Sequence, residues 1–142
     1  VRALSETADA RTWTAPLTLK SKILPDRSSF DKHFAAMRSG ARLRGIEATV
    51  RGRLLRRQGV LWLRASQTGE LISLTPLKTK IQWEVARKRP EPPTEEEASA
   101  FARLETRDTA EATLYEVVGP IDFNKKGKPV ALQVRLFRSV TR

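Results

Sequence analysis

From Gly45 to Thr75 the chain alternates hydrophobic and polar residues with a period of two. Ile46, Ala48, Val50 and Leu54 fall on one side, and Glu47, Thr49, Arg51 and Arg53 on the other. This is the pattern of a strand with one buried face. Gly52 sits in the middle of it, where a missing side chain lets a strand bend sharply, as a barrel corner requires. Gln58-Gly59 offers a two-residue turn, Val60 to Ala65 a second strand, residues 66–69 a four-residue turn, and Glu70 to Thr75 a third strand stopped by Pro76. The first turn sets Arg57 opposite Val60, Leu55 opposite Trp62 and Arg53 opposite Arg64. The second sets Leu63 opposite Ile72 and Leu61 opposite Leu74. One face then gathers Leu54, Leu61, Leu63, Ile72 and Leu74, and the other Arg51, Arg53, Trp62, Arg64, Leu71 and Ser73. Two turns chosen independently agree on one apolar face, which predicts a three-stranded antiparallel meander.

Elsewhere the periods change. Residues 16–24 alternate like a strand, and Pro25 closes it. "SSFDKHFAAMRSG" reads as a short helix over about 28–39, with Ser28 as its cap, Gly40 as its terminator, and Phe30, Phe34 and Met37 as one apolar stripe. Residues 80–85 suggest a further strand. Residues 88–93 read as an extended, exposed linker, since prolines at 90, 92 and 93 disfavour helix and ladder alike. Thr94 with Glu97 forms a capping box, and Glu95, Glu96 and Glu97 suit the positive end of the helix it opens. That helix is expected to run to about Leu104 with Ala98, Phe101 and Leu104 turned to the core. Residues 110–118 form a strand, "NKKGK" a turn, and 130–137 a last strand with Val130, Leu132, Val134 and Leu136 on one side.

The resulting organisation is a polar arm over 1–15 and one β-barrel domain over 16–142, with its core at 45–138. The fold class is mainly β with two short helices. The core order strand-strand-strand-helix-strand-strand, with a bent first strand, resembles the OB-fold, a small antiparallel Greek-key barrel. The strand and helix at 16–39 are an addition to that pattern. The resemblance is one of topology. It implies a binding surface on the outer side of the second and third strands, flanked by the first and last hairpin loops.

Composition narrows the function classes. The chain has 142 residues and no cysteine, which excludes disulfides, thiolate catalysis and sulfur-ligated zinc. No apolar run approaches the roughly 20 residues of a membrane span, so the chain reads as soluble. His33 is the lone histidine, glycines never cluster into a phosphate-cradling loop, and no Ser/His/Asp set assembles around His33. No catalytic residue, metal ligand or cofactor is assigned, and the expectation is a non-enzymatic chain. The net charge of +11 is segregated: residues 38–89 carry +10, residues 91–116 carry −6 and residues 117–142 carry +5. A chain so charged attracts polyanions.

On the expected barrel, Trp62 and Arg64 share the outer surface with Arg51 and Arg53. Arg56 and Arg57 occupy the first loop, and Lys125, Lys126 and Lys128 the last. Cations that track phosphates around a ring on which bases stack are what sequence-tolerant binding of single-stranded DNA or RNA requires. Arg53 facing Arg64 also costs folding free energy unless an anion lies nearby. A purely structural role would instead have Glu47, Glu70 or Glu84 neutralise these arginines, with Trp62 covered by an added segment. Two other expectations compete. One is an assembly module that docks an acidic protein or self-associates through its opposite blocks. The other is an envelope-associated domain contacting anionic lipid or polysaccharide. Val1 is not methionine, so the chain reads as a mature form after loss of a leader, a trimmed chain or a fragment. A nucleic-acid partner would place it in the cytoplasm, and a mature N-terminus would place it in the periplasm or outside the cell.

Overall fold

The computed structural model describes residues 45–84, 86–107, 109 and 113–140, together with 5–6, 13–14 and 26–27. The strand expected at 16–24 and the helix expected at 28–39, with His33, lie outside the described residues. Six strands carry the fold: β1 (Glu47–Arg57), β2 (Val60–Ala65), β3 (Leu71–Pro76), β4 (Leu114–Phe123), β5 (Pro129–Val134) and β6 (Leu136–Val140). One helix, α1 (Glu95–Glu105), lies between β3 and β4. Ser5–Glu6 pairs antiparallel with Trp13–Thr14 in a separate two-residue ladder.

The meander forms in the expected register. Arg57 pairs with Val60, Leu55 with Trp62, Arg53 with Arg64 and Leu63 with Ile72. Gln58 and Gly59 both take positive φ (51° and 76°), the signature of the tight turn whose twist matches that of a hairpin. β1 is shared between two neighbours. Its first half pairs with β4, its second half with β2, and Gly52 belongs to both registers. A Cβ on Gly52 would lie 2.2 Å from the Arg64 carbonyl oxygen, so the close crossing at this corner requires glycine. β3 pairs in parallel with β5, and β5 pairs with β4. The strand order β1-β2-β3-β5-β4-β1 is thereby closed: a five-stranded barrel with β6 as an extra strand on the free edge of β4.

Leu54, Leu61, Leu63, Ile72 and Leu74 all point into the barrel and are buried, joined by Val50, Tyr115, Val117, Leu132 and Val134. Leu63, Val117, Leu132 and Val134 have no exposed surface. Burying a leucine-sized side chain stabilises by about 1.5–3 kcal/mol, so this interior is the main favourable term. α1 packs against β3, β5 and β6 through Ala100, Phe101 and Leu104.

Four sequence expectations are corrected. Residues 88–93 do not form a free linker, because Arg89–Pro90 pairs antiparallel with Trp83–Glu84. The adjoining bond runs from the Glu91 N–H to the Gln82 carbonyl, which leaves Pro90 at a position where no N–H is needed. The strand expected over 80–85 shrinks accordingly to Trp83–Glu84. On α1 the inward face is Glu97, Ala100 and Leu104, and Ala98 is exposed.

The last strand is broken, not continuous over 130–137. Between the pairs Ile121–Leu132 and Val118–Leu136 the final strand advances four residues while β4 advances three. The extra residue is a β-bulge at Arg135, which flips the side-chain phase. Phe137, not Leu136, therefore packs on the core, and Val130 at the strand's start is 51% exposed.

Candidate functional site

Side chains that point outward on the meander line up in cross-strand rungs. One rung is Arg53, Arg64 and Leu71, the next is Leu55, Trp62 and Ser73, and the third is Arg57 and Val60. Trp62 is half-buried, and with Arg57, Gln58, Val60 and Leu71 it lines an open groove. Val60 is 40% exposed, which leaves apolar surface beside the indole. The two arginines of the first rung face each other across the ladder, Arg64 exposed and Arg53 half-buried. The Nε of Arg53 is buried and has no hydrogen-bond partner, and among the described residues no acid pairs with Arg53, Arg57 or Arg64. Like charges directly opposite on a sheet repel. An anion seated between them would remove that repulsion and satisfy the guanidinium donors.

The neighbouring rung is different. Arg138, Glu116 and Arg51 stand side by side on β6, β4 and β1. Glu116 Oε2 accepts from Arg51 Nε at 2.8 Å and its Oε1 accepts from Arg138 Nε at 3.0 Å. The Arg138 guanidinium, and after it that of Arg51, holds the Glu116 carboxyl below the usual carboxylate range. Arg51 is thus paired with Glu116, whereas Glu47, Glu70 and Glu84, the acids a structural role would have set against Arg53 and Arg64, do not reach those two arginines. Glu47 serves Arg135 and Glu84 serves Arg89.

The loops contribute unequally. Arg57 follows the outward phase of β1, whereas Arg56 lies opposite the buried Leu61 and so belongs to the inward phase, at the exposed rim of the barrel. Ser73 Oγ donates to the Val130 carbonyl at 3.0 Å, which brings the β4–β5 turn alongside β3 at the Leu71 end. That turn is held by Asn124, whose Oδ1 accepts the N–H groups of Lys126 and Lys128. Lys125 and Lys126 are exposed and have no acid partner among the described residues. Lys128 is engaged by Asp26 at 2.6 Å. The face around Trp62 therefore carries Arg53, Arg64 and Arg57, with Lys125 and Lys126 beyond its Leu71 end. Arg51, Arg56 and Lys128 stand apart or are already paired.

A second charged group lies inside, where the sequence showed only helix-end acids. Glu97 is 5% exposed. Its Oε1 accepts from Lys80 Nζ at 2.9 Å and from the Thr94 N–H at 2.9 Å, and its Oε2 accepts from Arg135 Nη1 at 2.9 Å. Arg135 donates twice more to Glu47, at 2.7 and 2.6 Å. Burial alone would raise the Glu97 pKa. The hydrogen bonds from Thr94, Lys80 and Arg135 outweigh that and hold it at about 2. The same capping box that starts α1 thus sets the hub of a buried ion network, and the bulge at Arg135 delivers its guanidinium there.

Among the described residues no three His, Cys, Asp or Glu side chains converge to hold a metal ion, and no helix is long and apolar enough to cross a membrane. Comparison with family models, with curated proteins and with solved structures finds no match to this chain.

Proposed function

We propose that this chain is a non-catalytic, single-stranded nucleic-acid-binding domain built on an OB-fold. The strand order, the parallel β3–β5 pairing and a helix between the third and fourth strands support the fold assignment. The observation that carries the function is the unpaired Arg53–Arg64 rung directly beside the half-buried Trp62. Successive outward residues on one strand lie about 7 Å apart, comparable with the separation of a phosphate from its base. A backbone phosphate on the arginine rung therefore leaves its base over the indole, between Val60 and Leu71. Such stacking contributes about 1–3 kcal/mol per base and tolerates any sequence. Arg57, Lys125 and Lys126 extend the cationic track at either end.

The test is titration of the protein with oligothymidylate, with heparin as competitor. Stacking should quench Trp62 fluorescence, and Trp62→Ala should weaken oligonucleotide binding about 5- to 150-fold, at low and high salt alike. Equal competition by heparin with no effect of Trp62→Ala would mean a surface that takes any polyanion.

A further inference from the structure

We infer that Glu116 marks one border of the nucleic-acid footprint, holding Arg51 and Arg138 in place of the phosphates they would otherwise bind. This rests on the binding function proposed above. Arg51 and Arg53 point outward from the same strand two residues apart, so the triad Arg138–Glu116–Arg51 adjoins the open Arg53–Arg64 rung. Four arginines from three strands would form one uninterrupted cationic row without Glu116. With it, the row divides into an open half and an occupied half.

The geometry suits an internal anion. Glu116 is only 15% exposed at its side chain, while Arg51 and Arg138 are 56% and 63% exposed. The carboxylate bridges them with one oxygen on each guanidinium. A phosphate arriving at Arg51 or Arg138 competes with a carboxylate that already offsets the guanidinium charge, and a displaced carboxylate takes up a cation from solution. The cation taken up offsets the release at one of the two positions, and the lost charge-assisted hydrogen bonds oppose the other. The strand stays off both, and they add little to affinity or to its salt dependence. At Arg53 and Arg64 no such exchange occurs. Glu116 therefore confines the strand to the β1–β2–β3 face and keeps it off β4 and β6.

The experiment is a salt series of oligothymidylate binding to the full chain, its Glu116→Gln and Arg51→Ala variants, and the double variant, with thermal melts of each. Glu116→Gln should bind more tightly at low salt and steepen the slope of log K against log salt by up to about 1.4, two contacts at about 0.7 each. Arg51→Ala should leave the slope of the wild-type chain unchanged, yet remove about 0.7 of the gain when Glu116 is Gln. A folded Glu116→Gln variant with wild-type affinity and slope overturns the inference. So does a flattened slope for Arg51→Ala in the wild-type background, a result that needs no Glu116 variant to fold. Absence of binding by the wild-type chain overturns the nucleic-acid reading itself and this inference with it. Normal wild-type binding with an inert Glu116 overturns this inference alone.

Discussion

The charges at the start of α1 and those on the outer face of the meander obey opposite rules. In the first group, Lys80, Glu97, Arg135 and Glu47 close on one another, and each is largely removed from water. In the second, Arg53 and Arg64 oppose each other across a ladder and have no acid among the described residues. A buried charge without a partner costs several kcal/mol, so the interior group must be complete before the barrel is stable. A charge in contact with water loses little by being unpaired. Complete pairing therefore marks a structural cluster, and incomplete pairing on an ordered surface marks one with capacity left for a ligand. The Arg138–Glu116–Arg51 rung lies between these extremes, on the surface yet already occupied.

The sharpest way to separate the two groups is to break the interior one. Glu97→Ala leaves the buried Lys80 with only the more distant and half-exposed Glu91, at 3.5 Å, and Arg135 without one of its two acids. It should cost about 3–5 kcal/mol of stability, read by chemical denaturation, while the folded fraction still binds oligonucleotide normally. A cost near that of an exposed pair would mean the network is wetter than its burial indicates.

Acid titration sharpens the same contrast. The Glu97 pKa is about 2 in the folded chain against an ordinary value of 4.5. A depressed folded pKa contributes stability that is fully present above the ordinary value and lost as pH falls from there towards 2. Stability should thus be level above about pH 5.5 and decline below it, and Glu97→Gln should flatten that decline. A decline of equal steepness in the variant would assign it to other carboxylates, of which Glu116, also held low, is the first candidate.

The smallest effect concerns the cap alone. Thr94 Oγ1 accepts the Glu97 N–H at 3.1 Å. Thr94→Ala should cost about 1 kcal/mol in the same denaturation assay, because Glu97 keeps its bonds to Lys80 and Arg135. A loss as large as that of Glu97→Ala would mean the hydroxyl also positions the network.

What could be read from the chain follows from distance along it. The meander was legible because turn chemistry at Gln58-Gly59 and alternation on both sides are local signals, and with them came the Arg53–Arg64 opposition. The capping box at Thr94 and the close-packed corner at Gly52 were local too. Glu116 was not legible as the partner of Arg51, since the two are 65 positions apart and meet only through barrel closure. Glu97 carried its cap signature openly, but its burial depends on Lys80 from one loop and Arg135 from a bulge. That bulge is one residue of mismatch between two strands, and no pattern within 130–137 announces it. The pairing of Pro90 was missed because proline excludes a ladder only where an N–H is required.

That the unpaired rung on the outer face is a phosphate seat is a claim tested by the salt dependence of oligothymidylate binding to Arg53→Ala/Arg64→Ala beside the wild-type chain. The double variant should melt at or above the wild-type temperature, since a repulsion has been removed. Its slope of log K against log salt should be shallower by about 1.4, with affinity reduced most at low salt. An unchanged slope and affinity in a variant that folds normally would contradict the claim, and would leave these two arginines as part of the barrel's wet side.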